Sequence, residues 1–166
     1  TSITCAISEL IDLFHYHNFA FEIDLKNSAA FDLSVYKLLK LLDCDTNNEI
    51  ALNEKLPDQA WGGNILHFVI DVLCHCDCAS FNTTSFLYVL FKLLCSNKVN
   101  SLSTNYYGNT PLQLITYDET LLSYKTNIKF IIFNLMSGRY ITKISNYFQR
   151  WKQFTVISGC VRKVST

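Results

Sequence analysis

A chain of 166 residues is long enough for one domain with a sizeable core, and at 49% hydrophobic and 17% charged it is not a disordered tail. Its formal net charge is zero, so the total favours neither nucleic acid nor a membrane surface as partner. The charge is uneven: residues 1–60 hold ten acids against four lysines, while from Arg139 onward there are six Lys or Arg and no acid. That asymmetry lets the two ends attract one another, or lets the tail reach an acidic partner.

No run approaches the roughly 18 uninterrupted apolar residues of a membrane span, and no secretory signal opens the chain. The first residue is Thr1 and Met136 is the single methionine, which reads as a segment of a longer polypeptide. Seven cysteines, an odd count scattered among helical patterns, read as reduced thiols in an intracellular, cytoplasmic or nuclear, setting.

In chain order, Ile3, Ala6, Ile7, Leu10, Ile11 and Phe14 mark a first helix at spacings of three and four. His15 and His17 follow it as surface residues of a loop. A second helix is predicted over about Asp32 to Leu42, carrying Val35, Leu38, Leu39, Leu41 and Leu42. A third, about Thr84 to Cys95, carries Phe86, Val89, Leu90, Leu93 and Leu94, and a fourth, about Asn127 to Met136, carries Ile128, Ile131, Ile132 and Leu135. Connections such as Ser96 to Asn105 are rich in Asn and Ser and favour turns.

Between the third and fourth helices lies Tyr106-Tyr107-Gly108-Asn109-Thr110-Pro111-Leu112-Gln113. Gly108 supplies a tight turn. Thr110 is an N-cap whose hydroxyl accepts from an orphan N–H, and Pro111 suits the first helical position, where its missing donor costs nothing. A short helix therefore starts at Leu112 and ends before Asp118, with Leu112 facing the core and Asn109 on an exposed turn. The same grammar occurs earlier, where Gly62, Gly63, Asn64, Ile65, Leu66 and His67 fall in register with Gly108 through Gln113. A turn, a short helix and a longer helix, repeated, point to a solenoid.

On these residues the chain resembles the ankyrin repeat family. Phe86 through Leu93-Leu94, Val99-Asn100 and Gly108-Asn109-Thr110-Pro111-Leu112 follow its pattern of an outer helix ending in Leu-Leu, a turn ending in Val-Asn, then Gly-x-Thr-Pro-Leu-His-x-Ala. Gln113 stands in place of the family His and Ile115 in place of its Ala. In the earlier copy Leu66 and His67 match, with Asn64, Ile65 and Val69 in place of Thr, Pro and Ala. The outer-helix end recurs over Phe130 to Thr142, with Gly138 at the turn. Gly62 to Gly108 spans 46 positions, against a family period of about 33, so an insertion is expected within residues 74–83. The resemblance implies an all-α stack of about three helical pairs over residues 1–142, a degenerate first unit over 1–43, and short β-turn fingers. Residues 143–166 then form a basic cap or tail. Ile144, Tyr147, Phe148, Trp151 and Phe154 there, interleaved with Lys143, Arg150 and Lys152, read either as a capping helix or as a basic amphipathic contact for a membrane surface or RNA backbone.

Chemistry-bearing motifs are few. Cys74-His75-Cys76-Asp77-Cys78 has zinc-ligand residue types, but the spacing is not that of a zinc site; it reads as the frayed end of an inner helix running into a Cys-bearing loop. His67 has the reactivity of a general base, yet in this motif the resemblance implies hydrogen bonds to the backbone of neighbouring turns. No nucleophile elbow or phosphate-binding Gly loop is present, and neither a cofactor nor a metal is expected. Trp61, Tyr106 and Tyr107 stand just ahead of the motif glycines, at the finger tips, where they serve either as recognition anchors or as finger-to-finger packing. The expected function is a non-catalytic protein–protein interaction module of a larger intracellular protein with an unknown protein partner. The alternative is a structural spacer, or a regulatory domain attached to an enzyme or channel.

Overall fold

In the computed structural model, residues 2–18, 20–44, 48–56, 61–116 and 126–137 are described. Over these the protein is mainly α-helical: α1 (Ile3–Asp12), α2 (Ser28–Asp43), α3 (Glu49–Leu52), α4 (Ile65–His75), α5 (Thr83–Cys95), α6 (Pro111–Thr116) and α7 (Thr126–Met136). One antiparallel pair, β1 (His15–His17) and β2 (Ala20–Glu22), sits between α1 and α2. The expected loop at His15 and His17 is therefore a strand, although both side chains are exposed.

Each helix begins and buries itself for local reasons. Ser2 accepts the Cys5 N–H at 3.2 Å and starts α1, whose Ile3, Ala6, Ile7, Leu10 and Ile11 are buried. The α2 helix starts at Ser28, earlier than the sequence periodicity suggests, directly after a 3-10 turn over Leu25–Asn27. Asn82 accepts the Ser85 N–H at 3.1 Å to start α5, and Phe86, Leu87, Val89, Leu90 and Leu93 line its buried side.

Sequential helices pack as neighbours, α1 on α2, α4 on α5 and α6 on α7. Side-by-side contacts of α2 with α5, α5 with α7 and α4 with α6 then join these pairs into one body with a continuous core. The loop 76–82 connects α4 to α5. The tail 143–166, Gly138 and Thr142 lie outside the described residues.

Phe14 is the hub of the core. Its ring meets those of Phe21, Phe31, Phe68, Phe81 and Phe86 at centroid distances of 5.5–6.2 Å, mostly edge to face. One side chain thus ties α1 to β2, α2, α4, α5 and the 76–82 loop.

In α6 Leu112 packs against the core as expected but is half-buried, while Pro111 and Ile115 are fully buried. Two predictions follow from the burial pattern. Phe14→Ala, at a half-buried ring packed against five others, should cost about 1–3 kcal/mol in urea melts, whereas Ile50→Ala, at a residue 88% exposed, should stay within about 0.5 kcal/mol. Ile115→Ala should cost about 2–5 kcal/mol and Leu112→Ala less, since truncating a half-buried side chain leaves a smaller void.

Candidate functional site

Two turns feed α4 and α6, and each closes with a reciprocal pair of backbone hydrogen bonds, the first over residues 56–63 and the second over the shorter span 105–109. In the first, the Leu56 N–H donates to the Gly63 carbonyl at 2.7 Å and the Gly62 N–H donates back to the Leu56 carbonyl at 3.1 Å. In the second, Asn105 donates to the Asn109 carbonyl at 3.0 Å and Gly108 donates back to the Asn105 carbonyl at 3.0 Å. Gly62 and Gly108 have φ of 78° and 77°, a left-handed conformation that favours glycine.

Each turn ends in a reciprocal cap. Asn64 Oδ1 accepts the Leu66 and His67 N–H groups at 3.0 and 3.4 Å, and the Asn64 N–H donates to His67 Nδ1 at 3.0 Å. Thr110 Oγ1 accepts the Gln113 N–H at 3.3 Å, and the Thr110 N–H donates to Gln113 Oε1 at 2.8 Å. His67 and Gln113 therefore occupy one role 46 positions apart.

His67 does more than cap. Since Nδ1 accepts, the neutral ring carries its proton on Nε2, which donates to the Asn109 carbonyl at 2.9 Å and links the first turn to the second. Burial pushes the His67 pKa below its usual value, partly countered by the Asn109 carbonyl and by Asp71, while Lys55 lowers it. With both nitrogens engaged, the imidazole is a structural brace rather than a free base. A Cβ on Gly63 would lie 2.3 Å from His67 Cγ, so that position must be glycine for the ring to sit where it does. The expected exposed turn at Asn109 is half-buried, held by its backbone carbonyl.

A second link runs from the Tyr106 N–H to the Trp61 carbonyl at 2.7 Å. The Tyr106 ring lies against Gly62, where a Cβ would come within 2.3 Å of Cε1. Trp61, itself at a φ of 51°, stands edge to face between Tyr16 at 5.8 Å and Tyr107 at 6.2 Å. Tyr106 and Tyr107 are 68% and 70% exposed, Tyr16 is 46% exposed and Trp61 is half-buried. Trp61, Tyr106 and Tyr107 thus come together on one surface, joined by Tyr16, which sequence reasoning missed. Partial burial raises the Tyr16 hydroxyl pKa, with the Asp71 carboxylate and Tyr107 adding to it. Asp71 pairs with His75 Nδ1 at 2.9 Å along α4.

Two asparagines hold the segment leading into the second turn. Asn53 Nδ2 donates to the Lys98 carbonyl at 2.8 Å, its Oδ1 accepts the Asn100 N–H at 2.6 Å, and Asn64 Nδ2 donates to the Asn100 carbonyl at 3.0 Å. Among the described residues no group of three or more His, Cys, Asp or Glu is placed to hold a metal ion. A cleft of about 230 Å³ between α1 and α3, lined by Ser8, Asp12, Glu54 and Lys55 among others, is smaller than the roughly 300 Å³ at which small-molecule sites begin. Among the described residues no helix is long and apolar enough to cross a membrane. No protein-family model, curated protein or solved structure matches the chain.

The His67 geometry gives a pH dependence with a definite sign. Its folded pKa lies below the ordinary value near 6.5, so on acidification the unfolded chain takes up the proton first. The brace therefore contributes fully above about pH 6.5, and its contribution is lost as pH falls from there toward the lowered folded value. Urea melts at pH 7.5 and 5.5 should show this loss, and His67→Gln, which keeps a cap of the Gln113 type, should flatten it.

Proposed function

We propose that this chain is an ankyrin-like repeat stack acting as a non-catalytic module that binds another protein. Three observations support the repeat reading: the reciprocal backbone hydrogen bonds that close both turns, the matched caps 46 positions apart, and the pairing of α1 with α2, α4 with α5 and α6 with α7. Repeat stacks carry no built-in reactive centre and bind through extended faces. Among the described residues no cysteine is in a disulfide, which fits a reducing, intracellular setting.

The observation that carries the binding function is the surface of Tyr16, Trp61, Tyr106 and Tyr107. Its inner rings are braced by neighbours while Tyr106 and Tyr107 offer most of their area to solvent. Amphipathic aromatics held rigid at the base lose little entropy on binding and are favoured as interface anchors.

Affinity capture with the wild-type chain and with a Trp61→Ala, Tyr106→Ala, Tyr107→Ala variant separates a binder from a spacer. The triple variant should keep its helical circular dichroism and lose the captured protein, while Leu102→Ala, an exposed apolar control, retains it. Equal capture by all three proteins would move binding to another surface and capture by none would favour a spacer; either overturns the aromatic-anchor reading.

A further inference from the structure

The Cys74 to Cys78 segment holds a pair that the binding function does not use. Cys76 and Cys78 place their Sγ atoms 3.8 Å apart, and neither is in a disulfide. They differ in access: Cys76 is 0% exposed and Cys78 is half-buried, on the loop just beyond α4. A disulfide needs about 2.0 Å between sulfurs, so closure asks for less than 2 Å of travel from the 3.8 Å contact, with Cys76 held at the α4 C-cap and Cys78 on the loop beyond it. Cys74, the third thiol, is buried on α4 itself.

We propose that Cys76 and Cys78 are a dithiol–disulfide couple, a modification site that a small disulfide such as oxidised glutathione converts to a Cys76–Cys78 bond. Access sets the order of events. The Cys78 thiol loses its proton to solvent, and its thiolate attacks one sulfur of the glutathione disulfide. That bond breaks and the first glutathione leaves as a thiolate, with a mixed disulfide left on Cys78. Cys76 then loses its proton and attacks Cys78 Sγ, which expels the second glutathione as a thiolate. Two protein thiols are oxidised by two electrons in total, one glutathione disulfide is reduced to two thiols, and the two protons pass through solvent to the leaving thiolates. An excess of reduced glutathione runs the exchange backwards. The couple sits where β2 meets the end of α4, since Cys76 forms a parallel bridge with Phe21, whose ring packs on Tyr16 at 5.0 Å.

The test treats the folded 166-residue chain with oxidised glutathione, quenches in acid, blocks remaining thiols with N-ethylmaleimide and maps peptides by mass spectrometry. Wild type should yield an internal Cys76–Cys78 disulfide that reduced glutathione removes. Cys76→Ser should trap a lasting glutathione adduct on Cys78, and Cys78→Ser should lose modification at position 76, because the buried thiol has no exposed partner to start the exchange. Circular dichroism checks that the variants fold, and Cys76→Ala replaces Cys76→Ser if the hydroxyl is not tolerated in that buried site. A wild-type chain that keeps a stable glutathione adduct on Cys78 beside a free Cys76 overturns the proposal. So does a Cys74–Cys78 bond, or an unmodified Cys78 in a sample where the exposed Cys5, Cys44 and Cys95 have reacted.

Discussion

One neutral imidazole holds the two turns in register, and the surface they carry depends on it. The Asn109 carbonyl that accepts from His67 Nε2 also accepts the Asn105 N–H that closes the second turn. On its other side the ring completes the cap that starts α4. A buried ring with one donor and one acceptor suits a place where a helix start lacks an acceptor and a neighbouring turn offers a carbonyl. Lysine or arginine would bring a charge into this buried position, and an apolar side chain would leave both backbone groups unpaired. Gly63 follows from the same constraint, since any side chain there would displace the ring.

Beside that brace, the aromatic packing runs from the core to the surface without a break. Phe14 gathers the phenylalanines of five other segments, Phe21 passes the contact to Tyr16, and Tyr16 passes it to Trp61 and on to Tyr107. Edge-to-face pairs add about 0.5–1.5 kcal/mol each beyond the area they bury, so the inner end of the series is part of the core and the outer end is available to solvent. Packing and the proposed recognition surface are thus successive positions along one series of rings. Trp61 belongs to both, which accounts for its unusual left-handed backbone: the φ of 51° lets the carbonyl reach Tyr106 while the indole lies between two tyrosines. Backbone conformations of this kind persist where surrounding contacts hold them.

Features set by neighbours in sequence were legible before any coordinates. Gly108, Thr110 and Pro111 announce a turn, a cap and a first helical residue because each acts within four positions, and the structure has a helix beginning at Pro111. Four of the longer helices, α1, α2, α5 and α7, were legible from period, although α2 begins at Ser28, ahead of the expected start, with Phe31 buried in register with Val35 and Leu38. The β1/β2 pair was not legible, because strands of three residues are too short to show alternation and all three residues of β1 are exposed. Phe14 read as the last apolar position of α1; its role as hub comes from rings brought together by tertiary packing. Tyr16 escaped notice for the same reason: its partners Phe21 and Trp61 are fixed by the hairpin and by a distant turn.

The asparagine-rich connections read from sequence as turn formers, but their side chains also tie separate segments together. A turn's backbone cannot pair entirely with itself, and buried backbone groups need partners. Asn53 and Asn64 supply them along residues 98–100, and Asn105 Oδ1 accepts the Tyr107 and Asn109 N–H groups at 3.0 Å each. An amide offers donor and acceptor together without charge, so these clamps neither depend on pH nor weaken in salt. Among Asn53, Asn64, His67, Asn105, Thr110 and Gln113, the side chains that brace the turns, His67 alone changes charge near neutral pH. Acid therefore acts on this network at one point, the link from the first turn to the second, and leaves the amide clamps on either side intact.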